Sequence, residues 1–166
     1  MNKEQLEKEL VDYLIQLVPV PWTKIGFWAA SSNGSGTFFF GVREKETDIV
    51  VNYDTFYKRY KDIGHSFSQM DISIPLFKTV QKMYKQDSME MQDKAWCEFV
   101  LTIEHNCKYN FKYFYLESEK HNYLSREQFL KKYLDSDYLF VNSQYPSREY
   151  VRADKILNSI TDDILN

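Results

Sequence analysis

The chain has 166 residues, with 21 basic and 24 acidic side chains, a formal net charge of −3 and a pI near 5.7. Charges this close to balance argue against nucleic acid or an anionic membrane surface as a direct partner. The length fits one domain, residues 1–166, and a content of only 5 Gly and 4 Pro excludes a disordered or low-complexity chain.

The first predicted element is an amphipathic helix from Asn2 to Val18. Its apolar side chains recur at helical spacing, with charged residues between them: Leu6, Leu10, Tyr13, Leu14, Leu17 and Val18. Pro19 and Pro21 end it, because a proline ring is not tolerated inside a helix and pushes its predecessor to an extended conformation. We find no signal-peptide pattern at the start and no later apolar run of transmembrane length, so we expect a cytoplasmic protein.

Three strands are predicted next, over Lys24–Ser31, Thr37–Val42 and Asp48–Tyr53. The stretch Ser32–Gly36 carries two glycines, which permit positive φ and favour a hairpin connection. A phosphate-binding loop is the alternative for this stretch, but the sequence has neither a GxxxxGK[ST] pattern nor a following helix. Antiparallel strands in meander order are the simplest arrangement.

Two helices are predicted in the middle of the chain. The first covers Asp54–Lys61, with Asp54 as its N-cap. After an irregular loop over Asp62–Ser73, the second begins at Ile74-Pro75 with the proline at the first helical position. Its apolar stripe comprises Leu76, Phe77, Val80, Met83, Tyr84 and Met91, which is typical of a core-facing surface.

The clearest period in the chain lies between Trp96 and Tyr115, where two alternating runs flank a short polar turn and predict a β-hairpin. The apolar row of the first strand is Cys97, Phe99, Leu101 and Ile103, and the aromatic row of the second is Tyr109, Phe111, Tyr113 and Tyr115. The polar rows carry Glu98, Thr102 and Glu104 on one strand and Lys108, Asn110 and Lys112 on the other. We therefore expect half-buried strands with opposite charges paired across an exposed face.

The turn of this hairpin contains the residue types of a metal site, namely His105, Cys107 and, at the strand, Cys97. Neighbouring strand residues point to opposite faces, and a site needs three or four converging ligands, so we expect reduced cysteines and no metal or other cofactor. A two-residue turn would place glycine where Cys107 stands.

The remaining chain predicts a short helix after Ser125 and Gln128, which form a capping-box pattern, with Asp135 and Asp137 ending it. A short extended segment over Tyr138–Val141 and a last helix from Ser147 to Leu165 follow. Together these elements predict an α+β fold: one domain with an antiparallel meander sheet of about five strands, packed with N-terminal, middle and C-terminal helices.

No catalytic constellation is evident. His65, His105 and His121 lack a partner nucleophile in a recognisable signature. A small enzyme or ligand-binding domain, with a pocket between sheet and helices that includes His65 and His105, remains the alternative function. The many tyrosines, 13 in all, fit either half-buried core positions or a protein interface, where tyrosine is enriched.

The layout resembles the YezG-type antitoxins, immunity proteins that Gram-positive bacteria encode beside secreted LXG-type polymorphic toxins. The resemblance extends over roughly Leu6 to Leu134. It is carried by Pro21-Trp22 after the first helix, by Trp96, and by the paired strands Phe99–Ile103 and Tyr109–Tyr115. The hairpin turn departs from the family in having Cys107, where a glycine is expected beside Lys108.

The resemblance implies a non-enzymatic protein that binds a cognate toxin C-terminal domain, often a nuclease, in the cytoplasm of the producing cell. For a basic nuclease, acidic side chains would steer association and tyrosines would anchor the contact. The candidate partner-binding residues are Glu98, Glu104, Glu117, Glu119, Asp135, Asp137, Tyr113 and Tyr115.

Overall fold

The computed structural model describes residues 2–32, 35–65, 68–90, 96–115 and 126–135. Helix α1 spans Lys3–Leu17, as the apolar period predicts. Its N-terminus is a capping box: the Asn2 side chain accepts from the Gln5 backbone N–H at 2.8 Å, and the Gln5 side chain accepts from the Asn2 N–H at 2.9 Å. The helix ends before Pro19, and Leu6, Leu10 and Leu14 are buried on its inner face.

In the described part of the chain the sheet has five antiparallel strands: β1 Trp22–Ser32, β2 Ser35–Glu44, β3 Val50–Asn52, β4 Glu98–Glu104 and β5 Tyr109–Phe114. Their spatial order is β3-β2-β1-β4-β5. The first three strands form a meander, and β4 then pairs with β1 from the other side, so β1 lies at the centre. The predicted α+β class with a five-stranded antiparallel sheet is confirmed.

Helix α2 spans Tyr53–Asp62 and follows β3 without a loop. The prediction that Asp54 is its N-cap is wrong. Asn52 takes that role, and its side-chain oxygen accepts from the Thr55 N–H at 3.1 Å. Asn52 is the last residue of β3, so it ends one element and caps the next.

Helix α3 spans Gln69–Glu90, so the predictions of a loop up to Ser73 and a helix start at Pro75 are wrong. The start is set by Ser68: its hydroxyl accepts from the Asp71 N–H at 3.0 Å, and Asp71 Oδ2 accepts from the Ser68 N–H at 3.2 Å. The Ser-x-x-Asp spacing is a capping-box variant that the sequence shows. Pro75 therefore lies inside the helix, where its ring removes the hydrogen bond to the carbonyl of Asp71.

The two faces of the sheet are covered by different helices. Helices α1, α2 and α3 cover one face, where the core includes Leu10, Phe27, Phe40, Phe56, Leu76, Trp96, Phe99 and Leu101. Helix α4, Arg126–Leu134, covers the other face, where Phe129, Leu130 and Leu134 pack with Phe39, Val50, Val100 and Phe114. The sheet is thus buried on both sides over its central strands.

Two cross-strand glycines allow α4 to lie close to the sheet. Gly26 of β1 is paired with Gly41 of β2. A Cβ at Gly41 would lie 2.5 Å from Leu130 Cδ2 and 2.6 Å from Leu134 Cδ1, whereas a Cβ at Gly26 would be at ordinary contact distance, 3.5 Å from Leu134 Cγ and Phe129 Cζ. Because Gly41 has no side chain, Leu130 and Leu134 can pack directly against the sheet at this position.

Several predictions fall outside the described residues. These are the capping role of Ser125, the buried position of Met91, the extended segment Tyr138–Val141 and the helix Ser147–Leu165.

Candidate functional site

The β4–β5 hairpin carries three of the eight sequence-predicted partner-binding residues, and Tyr115 follows it directly. It closes with a three-residue turn and not a two-residue one. The Cys107 N–H donates to the Glu104 carbonyl at 2.8 Å, and the Glu104 N–H donates to the Lys108 carbonyl at 2.8 Å. Cys107 has φ +64°, the left-handed conformation that ends this kind of turn and favours glycine. This positive φ is the physical reason for the glycine expected at this position.

Glu98 is not on an exposed face, contrary to the sequence prediction. Its relative exposure is 3%, and the indole Nε1 of Trp28 donates to its Oε2 at 3.2 Å. The cause is tertiary: β4 lies between β1 and β5, and its second face is buried together with residues of α4. The period-2 pattern gives the two faces correctly, but it cannot show that both are covered.

The predicted pairing of acids with lysines across the hairpin holds only next to the turn, where Glu104 lies opposite Lys108. Further along, the prediction is wrong, because the register places Val100 opposite Lys112 and Phe114 opposite Glu98. Glu104 remains exposed at the end of β4 and pairs across the other side with Lys24 of β1, whose Nζ lies 3.8 Å from Glu104 Oε1. Ion pairs of this exposed kind contribute about 0–1 kcal/mol, so Glu104 is held loosely and its carboxylate stays accessible.

Tyr113 and Tyr115 lie half-buried on the sheet face that α1 covers, and side chains of α1 hold their polar ends. The Tyr113 hydroxyl donates to Glu7 Oε2 at 2.6 Å, and Lys3 Nζ donates to the Tyr115 hydroxyl oxygen at 3.1 Å. Lys3 Nζ also lies 4.0 Å from the centre of the Tyr113 ring. Burial and the adjacent Glu7 carboxylate raise the pKa of Tyr113 far above its usual value, so this phenol stays neutral.

Lys3 joins this group to the interior. It lies 3.4 Å from a carboxylate oxygen of Asp87, which is buried and accepts from the Trp96 backbone N–H at 3.0 Å. Burial lowers the pKa of Lys3, but the contacts with Tyr115 and Asp87 outweigh it and the net pKa is raised. The ammonium therefore links α1, α3 and β5 through charge-assisted contacts.

Asp135 is exposed immediately after α4, with φ +52°. Arg43 Nη1 donates to the carbonyls of Leu134, at 2.8 Å, and Asp135, at 3.0 Å, and so caps the C-terminus of α4. The strand register places Lys24 opposite both Arg43 and Glu104. Glu104 and Asp135 therefore lie towards the same end of the sheet, with two basic residues across the strands between them.

Glu117, Glu119 and Asp137 lie outside the described residues. The outer edge of β5 is not among the functional features predicted above. Its signal is present in the sequence, however, as the alternation of Lys108, Asn110 and Lys112 with aromatic residues.

The residues that the metal alternative invokes do not converge on one site. His105 and Cys107 are exposed in the turn, while Cys97 Sγ lies 2.9 Å from the Phe114 carbonyl. In the described ranges, no group of three or more His, Cys, Asp or Glu side chains could hold a metal ion. The layer between the sheet and α1–α3 is occupied by contacting aromatic rings, such as Phe27 with Phe99 and Phe40 with Phe56.

The chain matches the family described as immunity protein YezG-like over residues 4–139, and it belongs to that family. Proteins of this family are generally non-enzymatic. Among curated proteins the chain is similar to "Type VII secretion system protein EsaG" of Staphylococcus aureus (strain NCTC 8325 / PS 47). The two are 24% identical over 135 residues, covering 78% of this chain and 80% of the relative. No helix among the described residues has the length and hydropathy needed to span a membrane.

Proposed function

We propose that this protein binds the C-terminal toxin domain of a cognate secreted toxin, a nuclease among the possible activities, and neutralises it in the cytoplasm of the producing cell. Family membership over residues 4–139 carries the proposal. Inhibition occurs by non-covalent contact and requires no catalysis by this chain. The similarity to a type VII secretion system protein supports the same role.

The interface that we propose includes the rim of the β4–β5 hairpin and the acids near it. Glu104 and Asp135 are exposed and available to a basic toxin surface, and Tyr113 and Tyr115 supply rigid aromatic area. Glu117, Glu119 and Asp137 complete the acidic set. Glu98 is left out of this interface, because it is buried and accepts the hydrogen bond of the Trp28 indole. A complex of this kind buries roughly 1,600 Å² in total.

The test is co-expression with the cognate toxin domain. We expect this protein to restore growth and to co-elute with the toxin domain in size-exclusion chromatography. Continued cell death together with separate elution would contradict the proposal. Growth rescue without a complex would contradict the mechanism of direct binding.

The acidic steering is tested by Glu104→Lys, with Glu46→Lys in the exposed β2–β3 turn as a control of equal charge change. We expect the association rate to fall about tenfold for Glu104→Lys at low salt, with a smaller loss at high salt, because salt screens exposed charges. Equal effects of the two variants would mean that only net charge matters.

A further inference from the structure

Strand β5 is the last strand of the described sheet. One hydrogen bond identifies which of its backbone groups point away from β4. The Glu104 N–H donates to the Lys108 carbonyl, so residues 104 and 108 form a hydrogen-bonded pair. Hydrogen-bonded and non-hydrogen-bonded pairs alternate in antiparallel strands, so Asn110 and Lys112 also direct their backbone groups toward β4. The N–H and C=O groups of Tyr109, Phe111 and Tyr113 therefore point away from β4. Within the described chain no strand pairs with this edge.

The two faces of this edge differ in chemistry. Lys108, Asn110 and Lys112 are exposed on one face. On the other face the rings of Tyr109, Phe111, Tyr113 and Tyr115 form a row with successive centroid distances of 6.0, 5.8 and 6.3 Å. Tyr109 remains 44% exposed at the end of this row.

The aromatic row is rigid before any partner arrives. The bonds of Tyr113 to Glu7 and of Tyr115 to Lys3 fix two rings against α1, and Phe111 stacks on Tyr113 with an interplanar angle of 10°. A partner strand would therefore gain contact area without much additional loss of side-chain entropy.

The two lysines favour a partner strand of negative charge at this edge. Two copies of the chain pairing antiparallel through β5 would place their lysine rows on the same face of the joined sheet, because paired strand residues share a face. Repulsion between like charges disfavours that pairing, and lysines on an edge discourage indiscriminate strand addition. An incoming strand with acidic residues on the lysine face removes this penalty.

We propose that the outer edge of β5 binds an extended segment of the toxin as an added β-strand, with acidic residues at positions i and i+4 facing Lys112 and Lys108. The residues at i+1 and i+3 are apolar and lie on the aromatic row. The proposal rests on the proposed function and specifies where and how the toxin is held.

The first test removes one backbone N–H that points away from β4. Tyr109→Pro removes this donor and leaves the hydrogen bonds to β4 in place, since proline is tolerated at an edge position whose N–H faces solvent. Tyr109→Val, which keeps the N–H, is the matched control. We expect the Kd for the purified toxin domain to rise at least about tenfold for Tyr109→Pro and about threefold or less for Tyr109→Val. Equal affinities of the two variants would overturn the added strand.

The second test keeps the proposal falsifiable should Tyr109→Pro fail to fold. Reversing both exposed lysines with Lys108→Glu and Lys112→Glu should weaken binding at least about tenfold. The control reverses Lys58 on α2 and Lys78 on α3, which are also exposed, and should change binding about threefold or less. Equal effects of the two double variants would overturn the role of the edge lysines.

The most direct readout is residue-resolved hydrogen exchange by NMR. In the free protein we expect the amides of Asn110 and Lys112 to be protected by their hydrogen bonds to β4, and those of Tyr109, Phe111 and Tyr113 to exchange faster. Toxin binding should slow the exchange of the amides of Tyr109, Phe111 and Tyr113 at least about tenfold, producing protection along the whole of β5.

A wild-type complex that leaves these three amides at their free rates contradicts the edge proposal alone, whereas the absence of any wild-type complex contradicts the proposed function. Protection caused by self-association in the absence of toxin would identify a second copy as the occupant and overturn the proposal.

Discussion

Tyr13 supplies the hydrogen bond that α3 loses at Pro75. Its hydroxyl donates to the Asp71 carbonyl at 2.8 Å, and this carbonyl is the one that residue 75 would bond if it had an N–H. A proline can thus stand inside the helix because a side chain of α1, 58 residues earlier, takes the place of the missing donor.

This compensation predicts coupling between two distant residues. Tyr13→Phe should lower the free energy of unfolding by about 1 kcal/mol, because the Asp71 carbonyl loses its donor. In a Pro75→Ala background the new backbone N–H bonds that carbonyl, so Tyr13→Phe should then cost clearly less. Urea denaturation of the four proteins of this double-mutant cycle measures the coupling. Additive effects would show that the tyrosine acts through packing alone.

At the scale of elements, the docking of α4 depends on a glycine whose role is steric. Gly41→Ala should destabilise the protein by about 1–3 kcal/mol, because its Cβ would overlap with both Leu130 and Leu134. Gly26→Ala, its cross-strand neighbour, meets only ordinary contacts and should be neutral or slightly stabilising, since alanine has less backbone freedom to lose. Thermal unfolding of both variants tests this difference, and equal losses would contradict it.

The contact between the end of β2 and α2 is electrostatic. Glu44 is buried and binds Arg59 through two hydrogen bonds, of 2.9 and 3.2 Å, and Thr47 through one of 2.6 Å. Burial raises the pKa of the Glu44 carboxyl, but the bonds from Arg59 and Thr47 outweigh it and hold the pKa below its usual 4.5.

A depressed carboxyl pKa makes the contact sensitive to acid. Its stabilising contribution is complete above about pH 4.5 and is lost as the pH falls through the lower value of the folded state. Glu44→Gln should therefore be less stable than the wild type at pH 7, and the difference should narrow toward pH 3. Urea midpoints across this range, with exposed Glu46→Gln as control, measure it. A difference that is constant with pH would contradict an ionic role.

At the scale of the whole molecule, the ion pairs between described elements differ in how deeply they are buried. Asp87 is buried between Lys3 of α1 and the backbone N–H of Trp96, whereas Lys82 and Glu9, 3.9 Å apart, form a pair on the surface. Removing one partner from a buried pair leaves the other charge without water or a counter-charge. In an exposed pair the remaining charge is hydrated by water.

Asp87→Asn should therefore lower the free energy of unfolding by about 1–3 kcal/mol, and Lys82→Met by about 0.5 kcal/mol or less. The raised pKa of Lys3 adds a pH condition: the Lys3–Asp87 contribution is complete below about pH 10.5 and is lost as the pH rises through the folded value. Chemical denaturation at pH 7 and at alkaline pH checks both statements. Equal losses for the two variants at pH 7 would show that burial does not distinguish these pairs.

The resemblance of the sequence to a known family pointed to an immunity protein. The sequence by itself also determined the features that rest on local periodicity: α1 with its apolar stripe, the strands of the two hairpins and the α+β class. Each depends on neighbours a few residues apart, so the signal survives in the linear chain. The Ser68–Asp71 cap was equally local, but the proline at 75 pointed to a later helix start.

Only the tertiary structure decided what depends on residues far apart in the chain. Glu98 is buried because β1 and α4 enclose β4, and Pro75 is accommodated because Tyr13 reaches Asp71. That no described strand pairs with the outer edge of β5 likewise follows from the placement of β4 beside β1. Alternation in a sequence defines the two faces of a strand, but which face is covered, and which edge stays open, is set by long-range packing.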